Sequence, residues 1–328
     1  MSKALYFQPS YERLKERIHA LAPDLDVALY DEQGRILHGG HEVSSAEFAP
    51  EYFWIHGDLF KSARLMDYFR LMQESPSARW LHTINTGLDQ LPYLPLLEKG
   101  VRVSNNHGQA VAIGEYVLAH VLASFQDLAG ARQRQLAQQW TPRGFREIGG
   151  SRWLIIGFGH IGQEVAKRAR AFGADITAMR RKPDTAGLAD RVVSLAELPQ
   201  VLPEVDVVVL ACTSTNATRQ LVNASFLQAM KSDAVLVNVA RGDLVVEDEL
   251  RQALDAGRPG KAILDVFANE PLAADSWFWQ HPAVIVTPHN SNAGSGMRVR
   301  SEQIFLDNLA CMIAGRPLLT EVAAADIL

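Results

Sequence analysis

"WLIIGFGHIGQEVAKRARAFGADITAM", residues 153–179, decides how the chain is read. Four apolar residues run into Gly157, Gly159 and Gly162, spaced G-x-G-x-x-G; "IGQEVAKRARAF" then has the composition of a helix, and Gly173 closes it before "DITAM". The order is strand, tight turn, helix, strand. The three glycines are needed for different physical reasons. Gly157 makes the turn, Gly159 lets backbone approach a pyrophosphate, and Gly162 brings the helix against the sheet. The unpaired N–H groups and positive dipole end of such a helix hold a diphosphate. Glycine spacing alone carries little weight, but in this setting it marks a dinucleotide site, with His160 and Ile161 as the residues between the glycines.

The anion selectivity of that site is written just beyond it. Where the second strand ends, about 20 residues past the glycines, an acid would bind the ribose 2′-OH of NAD and an arginine would accommodate the 2′-phosphate of NADP. Here "AMRRKPD" places Arg180, Arg181 and Lys182, with no acid among them. Asp175 comes too early and Asp184 falls after Pro183. NADP is the expected cofactor, with NAD the alternative.

Outward from this stretch, β-branched and apolar runs recur as "VDVVVLA", "AVLVNVA", "AILDV" and "AVIVTP", as central strands of a parallel sheet buried on both faces should. The first hundred residues repeat the alternation, with "ALYF", "DVALY", "YFWI" and "RWLHTI" as strands and "YERLKERIHALA" as an amphipathic helix. Between the halves, "GEYVLAHVLASFQDLAGARQRQLAQQ" sets Val117, Val121, Leu122, Phe125 and Leu128 at helical spacing, which predicts one long helix running from one domain to the other. "MRVRSEQIFLDNLACMIAG" is a last helix ending at Gly315. The expected fold is α/β: two parallel-sheet domains, Rossmann-like and flavodoxin-like, with a cleft between them and ligands at the carboxyl ends of the strands.

Bulk properties narrow the classes. The 328 residues are 48% apolar and carry a net charge of −5, enough for two cores and unlike a nucleic-acid-binding surface. Cys212 and Cys311 are the only cysteines, too few for a disulfide framework. "MSKALYFQPS" lacks a signal-peptide core and no apolar run reaches membrane-spanning length, so the chain reads as soluble and cytoplasmic, with no membrane partner. Ten histidines show no metal-ligand spacing, and no metal is expected. His107 reads as a hinge residue. His56 and Asp58 in "WIHGDLF" read as solvated loop residues.

Three later strands each lead to an ionisable residue: Arg241 in "VLVNVARGDLV", Asp265 and Glu270 in "AILDVFANEP", and His289 in "VIVTPHNS". Strand ends of a parallel sheet meet along one edge, and a guanidinium, a carboxylate and an imidazole there could anchor a carboxylate, orient an acid and donate a proton. With "GFGHIG" before them, these segments resemble the D-isomer-specific 2-hydroxyacid dehydrogenase family from about Trp80 onward; "NTGLDQL" is similar to its substrate-carboxylate loop and "GEYVLAHVLA" to its interdomain helix.

The resemblance implies that Arg241 binds a 2-oxo acid, that Glu270 hydrogen-bonds the proton donor His289, and that backbone N–H groups around Thr86 and Gly87 complete the carboxylate site. Asp265 would hold the nicotinamide amide, with Thr215 and Ala240 along the cofactor. It also implies a discontinuous substrate domain, residues 1–104 plus 292–328, around a dinucleotide domain, 105–291, and a homodimer. Trp140, in "AQQWTPRGF", either reaches a partner's substrate pocket or packs in the dimer interface. The expected activity is reduction of a 2-oxo acid of the glyoxylate or hydroxypyruvate type by NADPH to a D-2-hydroxy acid. An NAD-dependent dehydrogenase, a nicotinamide-sensing corepressor-like protein and an imine reductase are the alternatives. Two departures stand out: "LACTSTNATR" has Thr215 and Asn216 where relatives carry Thr-Pro, and Gly114 replaces the usual alanine. Glu270, where formate dehydrogenases carry glutamine, argues against that activity.

Overall fold

The computed structural model describes residues 2–88, 91–180 and 187–324. The chain divides into two compact units, Met1–Gly108 with Arg298–Leu328, and Gln109–Met297. Arg181 and Lys182 lie outside the described residues.

In the first unit the strands are β1 (Lys3–Phe7), β2 (Asp26–Tyr30), β3 (Ile36–His38), β4 (His41–Val43), β5 (Tyr52–Ile55), β6 (Trp80–Thr83) and β7 (Arg102–Ser104), ordered β4-β3-β2-β1-β5-β6-β7. The five strands β2-β1-β5-β6-β7 are parallel, in the flavodoxin-like order. The other two are antiparallel additions that the strand pattern of the sequence did not announce. Gly39 and Gly40, both at positive φ, form the two-residue connection between β3 and β4 that the right-handed twist of a hairpin favours.

Alternate residues of the central strands serve opposite faces. Leu5, Phe7, Phe53, Ile55, Leu81 and Val103 pack on one side, while Ala4, Tyr6, Tyr52, Trp54 and Trp80 pack on the other. The latter face is covered by the helix Met297–Ile313, whose Phe305 ring lies 3.9 Å from that of Trp54 at an interplanar angle of 4°. Such a pair contributes about 0.5–1.5 kcal/mol beyond its area. This contact is why the last thirty residues belong with the first hundred.

The second unit holds β8 (Arg152–Ile156), β9 (Asp175–Met179), β10 (Arg191–Val193), β11 (Val207–Leu210), β12 (Val235–Asn238), β13 (Lys261–Leu264) and β14 (Val284–Val286), all parallel, ordered β10-β9-β8-β11-β12-β13-β14. That is the dinucleotide-binding order extended by one strand, and the chain reverses direction across the sheet between β8 and β11.

The single long helix expected after Gly114 is instead two helices, Ala110–Phe125 and Leu128–Leu136. Asp127 ends the first in a left-handed conformation, φ 51°, and caps the second by accepting from Gly130 N at 3.1 Å. A short acidic side chain that bonds nearby backbone competes with helix continuation. Leu128, expected on the apolar stripe, is exposed. His56 is likewise buried rather than solvated: its ring accepts from Asp58 N and lies beside Arg13 and Glu302. Burial pulls its pKa down while Asp58 pulls it up, and the net direction is down. Asp58 is paired with Arg13 and accepts from Ser10.

Candidate active site

The carboxyl edge of the second sheet gathers what the sequence had dispersed. At the end of β8, Gly157 has φ +95°, and a Cβ there would meet Cys212 N at 2.5 Å. A Cβ on Gly162 would meet the Gly157 carbonyl oxygen at 2.2 Å. These two glycines are required by the protein's own backbone. Gly159 differs, since none of the described residues lies within 4 Å of the position its Cβ would occupy. It stands at the N-cap of the helix His160–Ala171 and, having no side chain, gives the first-turn N–H groups no hydrogen bond of its own. Open space in front of such N–H groups fits a dinucleotide pyrophosphate.

Gly157 N also donates to Met179 O at 3.1 Å, tying the end of β9 to the turn and setting half-buried Arg180 beside it. Cys212, next to the turn, has its thiol pushed up to about 11 by burial, which keeps it a neutral packing group. After β11, Thr218 Oγ1 donates to Thr213 O at 2.7 Å and so accepts from Thr215 N and Thr215 Oγ1, at 2.9 and 3.1 Å. This hydroxyl cluster shapes the loop where a proline was missing.

The next three strands carry the chemistry, about 4.8 Å apart. Arg241 follows β12, its Nη1 donating to Ala240 O at 2.7 Å, while Asn238 braces the turn through Arg241 O and Ala240 N. Gly242 presses on the chain after β13: a Cβ there would meet Phe267 C at 1.9 Å. Glu270 is fixed at one oxygen by Phe267 N, 2.9 Å, and faces His289 Nδ1 with the other at 2.7 Å. An ionised carboxylate only accepts, so Nδ1 carries the hydrogen of that bond and Nε2 is left for exchange with a substrate.

Asp265, after β13, is wholly buried. Its Oδ1 accepts from Thr287 Oγ1 at 2.6 Å and Asn290 N at 2.9 Å, its Oδ2 from Ser291 N at 2.9 Å, and its carbonyl from His289 N at 2.9 Å. This matters because His289 sits at φ 50°, a left-handed conformation that costs a non-glycine residue about 1–3 kcal/mol. One buried aspartate thus holds the turn that presents the imidazole. The hydroxyl of Tyr116 stands 2.6 Å from Thr287 Oγ1, a contact sequence reasoning missed, because no pattern links residues 171 positions apart.

Thr86 and Gly87 belong to the other unit, just after β6, where Thr86 Oγ1 donates to Asn106 O at 2.5 Å and Asn105 Nδ2 donates to Thr86 O. His107 precedes the residue at which the units divide, and Trp140 is 97% exposed. Among the described residues no cluster of His, Cys, Asp or Glu could hold a metal ion, and no helix is long and apolar enough to cross a membrane.

A doubly wound sheet with a glycine turn, a strand-end arginine and a carboxylate-paired histidine defines a nicotinamide-dependent oxidoreductase of the α/β class. The family model for the D-isomer specific 2-hydroxyacid dehydrogenase NAD binding domain matches residues 118–291, and the chain belongs to that family. It is 31% identical over 260 residues to a glyoxylate/hydroxypyruvate reductase A of Arabidopsis thaliana, covering 77% of this chain and 81% of the relative. A second glyoxylate/hydroxypyruvate reductase of that plant is 30% identical over 294 residues, 86% and 88% of the two chains. Among solved structures, a D-isomer specific 2-hydroxyacid dehydrogenase from Xanthobacter autotrophicus Py2, in complex with NADPH and MES, superposes with a TM-score of 0.78 over all of both chains at 26% identity.

Proposed function

We propose that the chain reduces a small 2-oxo acid of the glyoxylate or hydroxypyruvate type with NADPH, giving a D-2-hydroxy acid. The observation that carries this reading is the 2.7 Å pair of Glu270 and His289, with His289 one strand beyond Asp265 and two beyond Arg241. The turn at Gly157, Gly159 and Gly162 would hold the dinucleotide, whose nicotinamide would supply the hydride that a 2-oxo acid carbonyl needs. Negative charge then grows on the carbonyl oxygen, and His289 delivers a proton to it from Nε2. Glu270 stabilises the imidazolium before transfer and keeps Nδ1 protonated throughout. Arg241 grips the substrate carboxylate with its planar fork, which a lysine could not copy. Thr86 and Gly87 keep the part the family resemblance gives them, as N–H donors to that carboxylate, and Asp265 keeps its part beside the nicotinamide amide. The exposed apolar residues Leu136, Trp140 and Phe145 support a homodimer, which sedimentation would reveal.

Arg180 supports the NADPH reading, as does the NADPH bound to the Xanthobacter relative. A guanidinium facing a 2′-phosphate, screened by solvent, is worth roughly tenfold to a hundredfold in affinity. Steady-state kinetics with glyoxylate, hydroxypyruvate and phenylpyruvate should show kcat/KM higher with NADPH than NADH by that factor. Arg180→Ala should erase the difference by weakening NADPH alone. A cofactor ratio untouched by the substitution overturns the phosphate reading, and no turnover of any 2-oxo acid overturns the activity.

A further inference from the structure

The polar chain that ends at the catalytic turn begins on a helix with no part in the site as the sequence defines it. Tyr116 lies on Ala110–Phe125, the first helix of the second unit. Its hydroxyl is 2.6 Å from Thr287 Oγ1, which is 2.6 Å from Asp265 Oδ1. Chemistry fixes the direction of both bonds. A carboxylate accepts only, so the single hydrogen of Thr287 goes to Asp265, and Tyr116 must then donate to Thr287. The tyrosine therefore acts as a neutral donor, and burial, aided by the Asp265 charge, pushes its pKa up to about 12. His120, one turn on, lies against the Tyr116 ring, the centroids 4.0 Å apart at an interplanar angle of 33°.

We propose that Tyr116 is a positioning residue for His289, acting through Thr287 and Asp265 on the turn that holds the imidazole in its left-handed backbone conformation. The proposal rests on the reading of His289 as proton donor. Each hydroxyl in such a chain polarises the next, so the bond from Tyr116 strengthens the bond from Thr287 to Asp265. The Asp265 carboxylate in turn accepts from two backbone N–H groups just past the imidazole, those of Asn290 and Ser291, while the main-chain carbonyl of Asp265 accepts from His289 N. Thr287 and His289 lie on either side of Pro288 in the same segment, so both ends of the turn are referred to one aspartate.

The test is Tyr116→Phe and Thr287→Val, singly and together, with His289→Asn as reference. Tyr116→Phe should lower kcat roughly three- to tenfold, as loss of one neutral hydrogen bond would, with KM and dinucleotide affinity by fluorescence titration unchanged. The solvent isotope effect on kcat should rise as misplaced proton transfer becomes limiting. In the Thr287→Val background Tyr116→Phe should do nothing more, because its route to the turn is already cut. Additive losses, or a Tyr116→Phe enzyme with wild-type kcat beside an inactive His289→Asn, overturn the positioning role and leave the assignment of His289 standing. An active His289→Asn enzyme overturns both. If Tyr116→Phe fails to fold, Thr287→Ser against Thr287→Val decides. Serine near wild type with valine impaired supports the chain of hydroxyls, and equal activity refutes it.

Discussion

The two sheets share an architecture and differ at their carboxyl edges. In the second unit His289 and Glu270 keep 38% and 35% of their side-chain surface in solvent and face each other at 2.7 Å. In the first unit the histidine on β6, His82, has no exposed surface. Asn106 Nδ2 donates to its Nε2 at 3.1 Å, so its Nδ1–H goes to Ser104 Oγ at 2.8 Å, and Trp80 Nε1 donates to the same oxygen at 2.9 Å. Burial, with smaller contributions from His107 and His56, drives its pKa down to about 3. A strand-end imidazole becomes an acid when a carboxylate stands on one side and solvent or substrate on the other; enclosed by neutral partners it is a structural cross-link.

That contrast fails if either histidine can be removed with the other's consequences. His289→Asn should lower kcat by about 10²–10⁴, the usual contribution of a positioned general acid, with the melting temperature held. A variant with most of its activity would dissolve the distinction between the two edges. A smaller effect separates the glycines. Gly162→Ala places a methyl 2.2 Å from a backbone oxygen, so it should lower melting temperature and dinucleotide affinity together. Gly159→Ala meets nothing among the described residues, so affinity should fall at least tenfold at unchanged melting temperature, because the methyl occupies the approach of the phosphates. Affinity unchanged in Gly159→Ala would mean that the diphosphate lies elsewhere.

The second unit was legible for a physical reason. Strands buried on both faces must be apolar at successive positions, and "VDVVVLA" or "WLII" have few other uses. Glu270 and His289 were legible because their residue types and strand-end positions constrain the chemistry. The short strands β3, β4, β7 and β10, three residues each, carry too few side chains to make a pattern, and the Gly39-Gly40 connection between β3 and β4 went unread. The break at Asp127 was hidden because the apolar spacing to Leu128 continues across it, while the decisive event is one carboxylate capping one N–H. Tyr116 was illegible for the deepest reason: a hydroxyl 2.6 Å from another hydroxyl depends on how two distant elements pack, which no local pattern records.

The smallest effect tests the structural half of the contrast. His82 is neutral in the folded chain down to about pH 3, whereas in the unfolded chain it takes up a proton below its ordinary value near 6.5. With the folded value depressed, the unfolded state binds more protons between those limits, so stability is full above pH 6.5 and declines as pH falls through that window. By pH 5 the decline from this group is about 2 kcal/mol, some 1.5 units at ~1.4 kcal/mol each. His82→Gln should be less stable than wild type at pH 7.5, having lost a satisfied buried group, yet lose less on going to pH 5 by roughly that amount. Urea denaturation of both proteins at the two pH values measures the difference. Equal losses would show that His82 titrates freely in the folded state, and the first edge would then hold an accessible imidazole much like the second.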